Sequence, residues 1–220
     1  EQRKADAENA SRTKSLFLAG VSHDLKQPIR AIGLYTGFLR HSAVQQHTPP
    51  PLVAQTAEKI ETAVGVVHSQ ITRLLELSQL ESGATPVHLE PLDLDDLFAQ
   101  LRELMASEAQ ARGVQLRFAL GQQRQVLADR RMLESILSNF LSNAIKHAES
   151  GRVYVGTRLR TSYPPGQRLC IEVRDSGSGI APEQLPLLFD AYRSFDDRAA
   201  SESHGLGLAI AKAQASYLGC

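Results

Sequence analysis

Tryptophan is absent from this 220-residue chain, cysteine occurs twice, and neither sign of charge is in surplus, with 24 Lys and Arg against 24 Asp and Glu. Each shortage excludes something. Cys170 and Cys220 cannot form a disulfide scaffold, and so few thiols suit a reducing compartment. A nucleic-acid binder normally carries a basic excess to neutralise phosphates, so a neutral chain predicts no nucleic-acid partner. No apolar run approaches the roughly 20 residues that cross a bilayer, which predicts no direct membrane insertion. The polar stretch over residues 1–15 lacks the apolar segment of a signal peptide. His-Glu-x-x-His and Cys-x-x-Cys are missing, so zinc chemistry of those types has no support. What is present suffices for a folded protein: 42% of residues are hydrophobic, and the length allows one or two domains. The first residue is Glu1 rather than Met, so a soluble piece of a longer protein is expected.

Residues 4–40 carry an apolar stripe, Phe17, Val21, Leu25, Pro28, Ile32, Tyr35 and Leu39, whose spacing by threes and fours predicts one long helix. Pro28 is expected to kink it, because proline removes a backbone donor and crowds the preceding turn. Residues 41–51 end in three prolines and read as a loop. A second stripe, Ile60, Val64, Val67, Ile71, Leu74 and Leu77 or Ser78, predicts a second helix and so a helical hairpin. A lone hairpin leaves each stripe half exposed. Pairing of two hairpins into a four-helix bundle, hence a homodimer, is the expected remedy. The alternative is that both helices pack onto the chain's own C-terminal part.

The segment Glu81 to Pro91, with one Gly and two Pro, reads as a linker. The pattern then changes. Asp93 to Arg112 is helical, with Leu94, Leu97, Leu101, Leu104 and Met105 on one side. Val114–Leu120 and Val126–Ala128 read as strands, Asp129 as a helix N-cap, and Arg131–Ala148 as the helix it starts. Val153–Leu159 and Leu169–Val173 alternate as strands around a Ser-Tyr-Pro-Pro-Gly turn. Helices alternating with antiparallel strands predict an α+β layer sandwich.

Four clusters could carry chemistry. The first is Ser22-His23-Asp24-Leu25-Lys26-Gln27-Pro28. His23 sits about 200° around the helix from both Val21 and Leu25, away from the seam. A solvated imidazole beside a carboxylate is a usable nucleophile, though an ordinary surface histidine fits the same residues. The second is Asn139, Asn143 and Lys146, four and three apart on one helix face, with His147 beside them. Two amide oxygens can ligate Mg²⁺ and a lysine one turn on can neutralise phosphate, while a solvated face is the bland alternative. Asn is a poor helix former, so two stacked mid-helix ask for a reason.

The third cluster is Asp175-Ser-Gly177-Ser-Gly179-Ile180, directly after a strand. Glycines at alternate positions let backbone approach a ligand, and a carboxylate at a strand end can accept from an adenine amine. The fourth, His204-Gly205-Leu206-Gly207-Leu208, opens a helix whose free amides can bind phosphate. Turns and caps use the same residues. Neither cluster is a P-loop, and neither completes the dinucleotide fingerprint. Between them, Leu187 to Arg193 and the charged, small-residue stretch to Ser203 suit a mobile lid, with Arg193 or Arg198 able to reach phosphate.

In this order and spacing, the clusters resemble the transmitter core of a bacterial sensor histidine kinase over nearly the whole chain. Ser22 to Pro28 looks like the family's H box, Asn139 to Lys146 its N box, and Asp175 to Ile180 its first glycine box. Leu188-Phe189-Asp-Ala-Tyr192 resembles the phenylalanine box and Gly205 to Ile210 the second glycine box. The resemblance implies a dimerisation and histidine-phosphotransfer hairpin at residues 1–82, with an N-terminal signalling helix. A linker at 83–91 and an ATP-binding domain at 92–220 follow. That domain would be an α/β sandwich of the gyrase/Hsp90/histidine-kinase type, ending short of its last strands.

The resemblance also implies roles. His23 would accept phosphate, with Asp24 as general base and Gln27 at the position linked to dephosphorylating the partner. Asn143 would ligate Mg²⁺ with help from Asn139, and Lys146 would contact phosphate beside His147. Asp175 would hold the adenine, with Gly177, Gly179 and Ile180 shaping that pocket. Phe189, Tyr192 and Arg193 would border the nucleotide, and Gly205, Leu206, Gly207 and Leu208 would wrap its phosphates. The implied reaction moves the ATP γ-phosphoryl group to His23, then to an aspartate of a response regulator. The implied setting is the cytoplasmic face of the inner membrane, in a longer protein with an upstream sensor domain. Two rivals are a dimeric signalling module without catalysis and another ATPase of the same nucleotide fold.

Overall fold

The computed structural model describes residues 25–42, 49–83, 85–119, 121, 124–148, 150–162, 166–191 and 205–220. Helix α1 is described over 25–42 and runs through Pro28. The kink expected there would involve the carbonyl of residue 24, which lies outside the described residues, as do His23 and Asp24 themselves. Its half-buried positions are those of the predicted stripe, Leu25, Pro28, Ile32, Tyr35 and Leu39, together with Ala31. Helix α2 spans Pro50–Glu81 and starts inside the proline run that reads as loop. Proline fits a first helical turn, where its missing N–H would have had no partner. The chain falls into two compact units, residues 1–78 with 191–206, and residues 79–190 with 207–220.

In the first unit, α2 departs from its predicted stripe. Ile60, Val67 and Leu74 turn inward alongside buried Thr56, Ala63, Gln70 and Leu77. Val64 and Ile71 do not: they are 51% and 42% exposed. They stand one position on, about 100° around the helix, and form a second apolar line. Tyr35 of α1 lies under the Lys59 ammonium of α2, 5.8 Å from its ring centre.

The second unit is a layered α+β fold. Strand β1 (Glu90–Asp93) pairs antiparallel with β3 (Gln125–Ala128), and part of β1 falls where the sequence suggests linker. Strand β2 (Gln115–Ala119) pairs parallel with β4 (Arg152–Ser162), which pairs antiparallel with β5 (Gly166–Asp175). The expectation of antiparallel strands throughout is therefore corrected. Chain passing from β2 through β3 and helix α4 (Arg130–His147) returns beside β2 in the same direction, as a crossover does.

Helix α3 (Leu94–Ala111) and α4 cover one face of the three-stranded sheet. Leu97, Phe98, Leu101 and Met105 of α3 meet Leu137, Leu141 and Ile145 of α4 over Val153 and Val155 of β4. The alternate residues Leu116 and Phe118, and Leu169, Ile171 and Val173, close that core. Leu104 is expected on the same side as Leu101 and Met105. It is 59% exposed instead, because the stripe 94–97–101–105 leaves 104 on its margin.

Asp129 caps α4 as its position predicts. Its carboxylate accepts from Met132 N (3.1 Å) and from His88 N (2.9 Å), pinning the segment before β1 to the helix start. Desolvation pushes the Asp129 pKa up. Bonds from the His88, Met132 and Arg131 backbones and the Arg131 charge outweigh it, holding the group below the usual carboxylate range. Helix α5 (Gly207–Tyr217) packs against α4.

Candidate functional site

Helix α4 is the beam of the site. Asn139, Asn143 and Lys146 lie half-buried along one face of it, and His147 at its end is exposed. The Asn139 amide nitrogen donates to Ser135 O one turn back (2.9 Å), which fixes the direction of its oxygen. That oxygen aims at the start of α5, where a Cβ on Gly207 would lie 2.5 Å from it. Only glycine allows this approach. The C-terminal end of α4 supports the other half of the site. A Cβ on Gly177 would press into the His147 carbonyl, so the turn after β5 can close against α4 only with glycine there.

That turn is built around Asp175. Its Oδ1 accepts from Gly177 N (2.8 Å), closing a local Asx turn and leaving Oδ2 for another donor. Ser176, which the sequence reading passed over, locks the turn to β4. Its Oγ accepts from Arg152 N (2.9 Å) and its N–H donates to Arg152 O (3.1 Å). A serine after a strand-end aspartate gives no distinctive signal, since its partner comes from another strand.

Phe189 is half-buried and stacks beneath Lys212 of α5, 5.8 Å from ammonium to ring centre. Lys212 is a second site candidate that motif order did not single out. Its signal is position, five residues into the helix that Gly207 opens. Leu206 is buried and Leu208 half-buried, and both act through packing rather than polar contact. Ile180 is 46% exposed, and the described contacts join it to no other candidate. His147 contributes through its carbonyl, while its ring stays at the surface. Tyr192 and Arg193 lie outside the described residues, as do Arg198 and His204.

Comparison with known proteins matches this arrangement. Residues 13–83 match the His Kinase A (phospho-acceptor) domain. Residues 128–219 match the histidine kinase-, DNA gyrase B- and HSP90-like ATPase domain. The chain belongs to the sensor histidine kinases and is a transmitter core of that family. The aerobic respiration control sensor protein ArcB of Escherichia coli is 29% identical over 217 residues, covering 96% of this chain and 27% of ArcB. The full-length kinase ShkA, solved with AMPPNP, superposes with a TM-score of 0.66 at 22% identity, over 97% of this chain and 41% of that one. The histidine kinase ThkA, solved in complex with the response regulator TrrA, gives 0.55 at 20%, over 87% and 55%. The chain spans about a quarter of the length of the curated relatives it matches.

The donor set of this transmitter core fits a magnesium nucleotide. Among the described residues no three His, Cys, Asp or Glu gather to hold a metal. The hard amide oxygens of Asn139 and Asn143 would hold the ion together with triphosphate oxygens. The free oxygen of Asp175 suits an exocyclic amine, and the opening turn of α5 offers backbone N–H groups to phosphate.

Proposed function

We propose that this chain is the catalytic core of a protein-histidine kinase that transfers the ATP γ-phosphoryl group to His23 and then to an aspartate of a response regulator. One observation carries the reading: a single helix organises both ends of a nucleotide site. Asn139 abuts the α5 start, and His147 O abuts the turn that presents Asp175. The two positions are eight residues apart, a rise of about 12 Å, comparable to the reach of a nucleoside triphosphate. Asn143 and Lys146 fall between them.

Each residue then has a task. Asp175 orients the adenine, and Gly177, Gly179 and Ile180 border it. Asn143, seconded by Asn139, holds Mg²⁺, which screens charge on the transferring phosphoryl group. Lys146 and the Gly205–Leu208 turn receive the phosphates, with Phe189, Tyr192 and Arg193 at the margin. Asp24 takes or orients the His23 proton so that the other ring nitrogen attacks phosphorus in line. Gln27, exposed and four residues beyond His23 in sequence, can orient a water for dephosphorylating the regulator. The core works as a homodimer, downstream of a sensor domain, at the cytoplasmic side of the membrane. The residue ranges 1–82, 83–91 and 92–220 are its hairpin, linker and ATP-binding domain.

Incubation with γ-labelled ATP and Mg²⁺ tests the reading. The chain is expected to take up acid-labile, alkali-stable label, as a phosphoramidate should be, and His23→Ala and Asn143→Ala to take up none. Label that survives His23→Ala would refute the phosphoacceptor assignment. A wild-type chain that binds ATP and stays unlabelled would replace the kinase with a signalling module.

A further inference from the structure

The outer face of the three-stranded sheet has a composition that the nucleotide site does not explain. Inner positions on β2, β4 and β5 are fixed by Phe118, Val153, Val155 and Ile171 in the core. Alternation along a strand therefore sends Arg117, Arg152, Arg158, Arg160, Arg168 and Arg174 to the opposite face. All six are exposed. The described outward positions include a single carboxylate, Glu172, which Arg158, Arg160 and Arg174 share. Six guanidinium groups against one carboxylate leave five positive charges in surplus. The chain as a whole has none, so charge is segregated onto this face.

At the centre lies Tyr154, 41% exposed and opposite both Arg117 and Arg174. Its ring lies over Gly156, where a Cβ would come within 2.6 Å of the ring atoms. Both helices that pack on the sheet, α3 and α4, do so through its other face.

We propose that this arginine face is a peripheral docking surface for an anionic phospholipid bilayer. A lipid surface demands charge spread over a plane rather than a shaped pocket, and each basic residue near it adds attraction. The face meets that demand: it is a sheet, its charge is distributed, and its one aromatic is of the kind that sits at headgroup level. The core of a protein interface is depleted of charged side chains, whereas guanidinium groups dominate this face and Tyr154 is the only large ring or aliphatic side chain among its described outward positions. All six cations are arginine, whose planar guanidinium forks onto phosphate oxygens and sheds water more readily than lysine. Docking of this kind involves no insertion and does not depend on the kinase reading.

Sedimentation of the whole chain with vesicles tests it. Wild type should pellet with vesicles of phosphatidylcholine and phosphatidylglycerol at 4:1, should ignore phosphatidylcholine alone, and should be released by about 0.5 M salt. Arg117→Gln with Arg168→Gln leaves the Glu172 cluster intact and should weaken partitioning at least about tenfold. Lysines at both positions should retain most of it, and thermal melts should show all three proteins folded. Equal binding to the two vesicle types, or wild-type binding by the glutamine variant, overturns the proposal. So does tighter binding to polyglutamate than to anionic vesicles at equal charge, which would assign the face to an acidic protein.

Discussion

At the residue scale, the site depends on two places where backbone comes too close for a side chain. Gly207 is the sharper. An alanine Cβ would stand 2.5 Å from the Asn139 oxygen, and that amide is already tied to Ser135 O. The obstruction falls at the end of a side chain, so Asn139 rather than the fold gives way. Alanine also loses less entropy than glycine in a helix, by about 0.5–1 kcal/mol. Gly207→Ala is therefore expected to melt no lower than wild type while losing at least about tenfold in ATP affinity, the effect of about 1.4 kcal/mol. Isothermal titration beside a thermal melt separates the two quantities, and unchanged affinity would remove the Asn139–Gly207 approach from the site. Motif order singled out both residues. It did not reveal that they touch, because 68 positions separate them and the contact depends on how α4 and α5 pack.

At the element scale, the hairpin's second apolar line bears on assembly. Val64 and Ile71 of α2 are seven residues apart and exposed, with Val53 at 40% on the same helix. On α1, Leu34 and Phe38 are 75% and 41% exposed, one turn apart. A solvated hairpin gains nothing from such lines, whereas a partner hairpin would bury them as the outer contact of a four-helix bundle. Ile71→Asp is expected to shift the molar mass from dimer to monomer by light scattering, without loss of the second unit's fold. A variant that stays dimeric would place the interface elsewhere. The helices themselves were legible in the sequence, since periods of three and four persist over many turns. Which of two adjacent lines turns inward was not, because Ala63 and Gln70 take the inner positions and neither is an apolar marker. The parallel β2–β4 pairing was likewise invisible. Each strand alternates correctly by itself, and nothing local records the direction of a partner 37 residues away.

At the scale of the whole chain, α2 runs unbroken past Ser78, where the first compact unit ends, so its last turn belongs to the second. That turn is fastened there. The Tyr217 hydroxyl, in the final turn of α5, donates to Leu80 O (2.7 Å), which also accepts from Gly83 N (3.2 Å) where the helix ends. Gly83 follows, within 3.9 Å of that hydroxyl for a built Cβ. The helix that Gly207 opens against Asn139 is thus the one whose far end holds the Leu80 turn. Removing the hydroxyl should leave the nucleotide contacts alone and loosen the grip by the worth of one part-buried hydrogen bond, about 0.5–1.5 kcal/mol. Tyr217→Phe is expected to bind ATP within about twofold of wild type and to label His23 several-fold more slowly. Loss of binding and labelling together would mean that Tyr217 only supports the α5 fold. Equal rates would mean that the end of α2 carries no constraint from the nucleotide domain to the phosphoacceptor helix.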